Sequence, residues 1–207
     1  DLLTAAAVAM LLAVMAALLY TGSLTRQVTN MLIPTAVYIV MAVSLNLVVG
    51  LLGELSLGHA GFMSVGLFSG CLVAIALTNT ALPLMVRLPV SMLAGGLTAA
   101  VFGLLVGLPT LRLRGDYLAI VTLACGEIIK NIITNLRVTG GALGLNTSAI
   151  YAGAKELLPY GAALVLLTVA VMLNLKRSKY GRAIMAIRDN RIAAESVGLS
   201  VTRYKLA

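Results

Sequence analysis

The sequence predicts an all-α fold: a polytopic transmembrane helical bundle followed by a short helix outside the bilayer. Three observations predict it. Hydrophobic residues make up 60% of the 207 positions and charged residues 11%, against about 45–50% and about 25% in ordinary globular chains. Uncharged runs long enough to cross a hydrocarbon layer of ~30 Å recur along the chain. The basic residues are segregated: eight of the 15 Lys and Arg lie in the last 32 positions, and the first 86 hold only Arg26. A net charge of +8 distributed this way reads as the flank of membrane spans rather than a nucleic-acid surface.

About six spans are expected. Uncharged runs cover residues 2–25, 27–53, 60–86, 88–111 and 157–175, and a sixth span near 117–136 carries Glu127 and Lys130. The first run is too long for a cleavable signal and has no basic stretch before it. Asp1 stands where an initiator Met would, and no polar tail follows Ala207, so a piece of a longer protein is expected. Pro34, Pro89 and Pro159 are expected near span starts, where a missing N–H costs little, with Pro83 and Pro109 at ends or in loops. Residues 1–175 then form the transmembrane region and 176–207 a cytoplasmic segment leading to further spans. With that segment inside, Arg112 and Arg114 also fall inside, while Arg26, Arg87, Arg137 and Lys155 fall outside. This positive-inside bias puts the N-terminus in the cytoplasm. Tyr20, Tyr117, Tyr151 and Tyr160 fall near the expected interfaces.

Small residues recur every fourth position at Gly95, Ala99, Gly103 and Gly107, and at Gly66, Gly70 and Ala74. Such ridges let helix backbones approach closely; they suit plain packing or a sliding surface. Cys71 and Cys125 lie in apolar runs without metal-ligand spacing, as buried thiols do.

Three segments break the membrane pattern. In Gly50-Leu-Leu-Gly-Glu-Leu-Ser-Leu-Gly-His-Ala-Gly61, four glycines, a carboxylate and the single histidine separate two apolar runs. It is either a short cytoplasmic turn with Glu54 and His59 solvated, or a broken element beside a translocation path, where unwound backbone is tolerated. Asn46 stands eight residues before Glu54 on an otherwise apolar span. Glu127, about 15 Å into its span, is near the midplane, and Lys130 at i+3 shares its face. The two form a structural ion pair, or they meet a zwitterionic substrate. The loop from Thr139 to Asn146, with Gly140 and Gly141, is either an ordinary turn or an anion-binding nest of successive N–H groups.

The last segment divides into short helices. Asp189 is expected to cap a helix starting at Asn190, and Gly198 suits the left-handed position past its end. About eight residues, roughly 12 Å, are too few to be stable alone. Ile192, Ala193, Ser196 and Val197 form one smooth face, and Arg191 and Glu195 share another, so the helix needs a docking surface.

Ala193-Ala-Glu-Ser-Val-Gly198 resembles the cytoplasmic coupling loop of ABC importer permeases, whose alanine–glutamate–glycine pattern docks in an ATPase subunit. Further blocks run in the same order as in one family: Ser44-Leu-Asn-Leu-Val-Val-Gly50, Leu57-Gly-His-Ala-Gly-Phe62, Leu111-Arg-Leu-Arg-Gly-Asp-Tyr-Leu-Ala-Ile-Val-Thr122, Gly126-Glu-Ile-Ile129, Thr139-Gly-Gly141 and Tyr180-Gly-Arg-Ala183. Together they resemble the branched-chain amino acid permease family of ABC importers, its LivM-like members in particular, which carry further spans after the coupling loop.

The resemblance implies one half of a pore in the bacterial cytoplasmic (inner) membrane. Its partners would be a second, LivH-like permease subunit, two cytoplasmic ATPase subunits and an extracytoplasmic substrate-binding protein. It implies ATPase coupling through Arg182, Asp189, Arg191, Ile192, Ala193, Ala194, Glu195 and Gly198. Candidates for the substrate path are Asn46, Gly58, His59, Gly61, Glu127, Gly140 and Gly141. With no GxxxxGK[ST] loop in the chain, ATP and Mg are expected on the partner subunits, and no cofactor or catalytic residue is expected here. The rivals are a permease for urea or short amides, an ion-coupled secondary transporter using Glu127, and a membrane enzyme built on Glu54, His59 and Glu127.

Overall fold

The computed structural model describes residues 2–80, 83–110, 113, 115–150 and 153–206. Every regular element among them is helical: α1 (Leu2–Tyr20), α2 (Arg26–Asn46), α3 (His59–Ala76), α4 (Leu84–Thr110), α5 (Asp116–Asn135), α6 (Ala154–Arg177), α7 (Lys179–Asp189), α8 (Arg191–Ser196) and α9 (Val201–Leu206), with short 3-10 turns between some of them. A widened, π-helical turn, Leu47–Leu52, extends α2. Among the described residues five helices are long and apolar enough to cross a membrane: Arg26–Leu52, α3, α4, α5 and α6; the sixth expected span is the shorter apolar helix Ala5–Tyr20 within α1. Leu93, Leu97 and Leu105 stand exposed on α4, the surface of a multi-pass membrane protein rather than of one bathed in water. Arg112, Arg114 and Tyr151, used above for orientation and interfaces, lie outside the described residues.

Contacts divide the chain into two units, residues 1–53 with 152–204 and residues 54–151 with 205–207. This division is one of packing and does not follow the membrane boundary expected at residue 175.

In the first unit α6 packs against α1 and α2. Gly161 lets α6 come up to the buried Ala36 of α2, whose Cβ lies 3.3 Å from where a Cβ on Gly161 would sit. Prolines 34, 89 and 159 lie inside α2, α4 and α6 rather than in their first turns. The helices start earlier than the uncharged runs because Arg26, Arg87, Lys155 and Glu156 are included in them. Pro159 leaves the Lys155 carbonyl without its helical donor, and Tyr20 Oη donates to that carbonyl over a long 3.5 Å.

In the second unit α3 runs antiparallel to α4 along a small-residue seam. Gly66 meets Gly95 and Ala99, and Gly70 meets Ser91; a Cβ on Gly95 would strike the Gly66 carbonyl. Ser69 and Thr98 bridge the same seam by a hydroxyl hydrogen bond. At these positions the four-residue spacing is packing. Gly103 and Gly107 have the same spacing but meet nothing within 4 Å. On its other side α3 runs parallel to α5, with Val65, Ile129 and Ile133 forming a buried cluster joined by Phe62, Phe68 and Val106. Cys71 and Cys125 are free thiols and only partly buried.

Candidate functional site: a coupling helix and a cleft at a helix break

The coupling segment is built in the first unit. Ser178 caps α7 by accepting from Gly181 N–H at 3.1 Å. Its last residue is Asp189, so Asp189 does not cap the next helix as expected. Its carboxylate instead accepts from Arg188 Nε at 3.1 Å and Nη2 at 3.0 Å. The cap of α8 is Asn190, whose extended backbone lets its Oδ1 accept from Ala193 N–H at 3.0 Å. Asn and Asp are equivalent as caps; the break in backbone direction at Asn190 decides between them. At the other end Gly198 adopts φ +86°, as expected past a helix end. Arg182 points back along the chain, Nη1 donating to the Arg177 carbonyl at 3.3 Å.

A six-residue helix cannot hold itself, and α8 is held from behind. Ala194, only 3% exposed, is locked in a cluster with Ile187 of α7 and Val201 of α9, joined by Leu199 and Tyr204. Tyr180 stacks obliquely on Tyr204, ring centroids 6.2 Å apart. Arg191 Nε and Glu195 Oε1 pair at 2.8 Å, one helical turn apart. The opposite face is bare: Ile192 is 81% exposed and Val197 76%, with Ala193 and Ser196 exposed between them.

The second feature lies in the other unit. Residues 54–58 are non-helical, and Leu57 N–H donates to Thr122 Oγ1 at 3.1 Å. A Cβ on Gly58 would come 2.5 Å from the Thr122 carbonyl, and one on Gly61 2.8 Å from Gly126 Cα. Only glycine allows backbones this close. The two segments therefore run in register about 65 positions apart, and α3 starts about eight residues, or roughly 12 Å, along α5. The break thus lies within the length of α5 and not beyond its end. It is a broken element alongside a span, the arrangement that needs protein or a watery cavity around it.

A cleft of about 180 Å³ is lined by Leu57, Ala60, Gly61, Ser64, Leu123, Gly126, Glu127 and Lys130. Lys130 Nζ and Glu127 Oε2 are 3.4 Å apart, as the i, i+3 spacing predicts, and both side chains are more than half exposed. Of the path candidates, Gly61 and Glu127 line the cleft, and Gly58 and His59 lie in the chain between its lining residues Leu57 and Ala60. Asn46 is in the other unit, at the end of α2, with its side chain against Gly50. Gly140 and Gly141 follow the end of α5 and are not in the lining. Their N–H groups donate to the carbonyls of Arg137 and Leu136, and that of Gly144 to Gly141, so these amides close turns.

Sequence reasoning missed Arg188. Its Nη1 donates to the Gly50 carbonyl at 2.8 Å across 138 residues of chain. Spacing carries no signal for so distant a contact; the only hint is Gly53, whose φ of +74° ends the π-helical turn beside it.

Comparison with known proteins agrees with this architecture. Residues 27–207 match the family described as branched-chain amino acid transport system / permease component. The chain is 36% identical over 211 residues to the high-affinity branched-chain amino acid transport system permease protein LivM of Salmonella typhimurium, covering 83% of this chain and 46% of the relative. It is 37% identical over 205 residues to the Escherichia coli protein of the same name, with the same coverage. A probable LivM of Methanocaldococcus jannaschii is 29% identical over 119 residues, 52% of this chain and 34% of the relative. The chain thus spans about half the length of the curated relatives it matches most extensively. No solved structure matches it.

Proposed function

The chain belongs to the branched-chain amino acid transport permease family, and from that premise we propose that it is a membrane subunit of an ATP-driven importer of branched-chain amino acids. In this reading it sits in the bacterial inner membrane beside a second permease subunit. Two cytoplasmic ATPase subunits supply the energy, and an external binding protein delivers substrate.

One observation carries the reading. α8 is fixed at its back by Ala194 and offers Ile192 and Val197 to solvent at its front. A helix held in this way can receive a partner's stroke without unravelling, and transmit it as a rigid-body movement between two states. The cleft between α3 and α5 supplies a place for substrate. An amino-acid zwitterion presents an ammonium to Glu127 and a carboxylate to Lys130, while Leu57 and Leu123 line apolar wall. Its volume lies below the ~300–1,000 Å³ of pockets that enclose a drug-sized ligand, which suits a small solute in passage.

The test is co-purification of the full-length protein with its ATPase partner. The double variant Ile192→Asp, Val197→Asp is expected to lose the ATPase while keeping the thermal midpoint of the permease, because both side chains are exposed. Retention of the ATPase by this variant would overturn the reading.

A further inference from the structure

The π-helical end of α2 has carbonyls that no helical N–H can reach, because the residues that would supply the donors lie past Leu52 in non-helical chain. One of them, on Gly50, is taken by Arg188 of α7 at 2.8 Å. The contact is charge-assisted, and it sets a cation at the negative end of a helix. Gly53 completes it. Its φ is +74°, and a Cβ there would come 2.5 Å from Arg188 Cγ and 2.9 Å from Cδ. Glycine is thus needed twice over, for the left-handed turn and for the passage of the arginine stem. Asp189 accepts two hydrogen bonds from the same guanidinium and orients it. The next residue, Asn190, is the cap of α8.

We propose that Arg188 is a positioning residue that ties the coupling helix to the π-helical end of α2. Through it, displacement of α8 is transmitted to the Gly50–Gly53 end of α2. The assignment rests on the reading of α8 as the receiver of the ATPase stroke. It adds the path by which that stroke enters the membrane region. A flexible loop at this point would absorb the movement; a guanidinium clamped between Asp189 and the end of α2 passes it on.

The experiment uses the full-length protein with its partner subunits in liposomes, measuring substrate uptake and ATP hydrolysis together. ATP-driven uptake by the wild type is the control that separates this claim from the transporter reading. Arg188→Gln is expected to assemble and hydrolyse ATP, yet to carry about tenfold less substrate per ATP, the size of one charge-assisted hydrogen bond. Arg188→Lys keeps the charge and ammonium donors but not the planar fork, and falls between the two, about threefold below the wild type. A wild-type ratio of uptake to hydrolysis in Arg188→Gln overturns the proposal. Should that variant fail to assemble, the ratio in Arg188→Lys decides: a reduced ratio supports the link, and an unchanged one overturns it.

Discussion

Around α8 the polypeptide is fastened at its back and bare at its front; before α3 it is fastened by its own backbone to α5 and opens onto a cleft. The fastenings differ in kind. Behind α8 they are side chains, with Ala194 fitted between Ile187 and Val201. At the break they are backbone contacts, with Gly58 on the Thr122 carbonyl and Gly61 on Gly126 Cα. Side-chain packing leaves a helix free to present a face, whereas backbone contact fixes the depth at which a helix begins. The first arrangement suits a part that must be gripped, the second a part that must hold an opening in place.

Substitutions separate the two. The largest expected effect is from Ala194→Asp, which places an unpaired carboxylate inside the α7–α9 cluster at a cost of about 3–5 kcal/mol. Hydrogen exchange at residues 191–199 should rise to that of unprotected chain, while exchange in α3 and α5 is unchanged. Next is Gly61→Leu. Its side chain has backbone in front of it and must push α3 off α5, costing about 1–3 kcal/mol. A lower thermal midpoint in detergent, with residues 191–199 still protected, is the expected result. Smaller again is Asn190→Ala, at about 1 kcal/mol for a lost cap. Asp189→Ala is expected to cost less than that, because Asp189 makes a surface pair with Arg188. Equal losses at the two positions would return the cap to Asp189.

The long helices were legible because a span must be mostly apolar over its length, and the runs that showed this are dense in the sequence. The small-residue ridges were legible only in part. Gly95 and Gly103 look alike in spacing, yet one meets Gly66 and the other meets nothing within 4 Å, because spacing along one helix does not encode what a neighbouring helix sets opposite it. The pairing of Glu127 with Lys130 and the left-handed Gly198 were local and could be read directly. The cap was local too, but Asp189 and Asn190 are chemically interchangeable there, so composition could not choose between them. The fastening of Ala194 and the contact of Arg188 with Gly50 join distant parts of the chain. Nothing in either segment alone encodes its partner.

The face of α8 is the centre of the account, and cross-linking tests it most directly. In the full-length complex, with Cys71 and Cys125 replaced by Ser, cysteines are placed singly at Val197 and at Ala194 and treated with a short thiol-reactive cross-linker. Val197→Cys is expected to join the permease to an ATPase subunit and to lose its reactivity toward a soluble maleimide once that subunit is bound, with Ala194→Cys silent in both assays. If Val197→Cys reacts with maleimide equally fast with and without the ATPase and yields no adduct, α8 is not the docking helix.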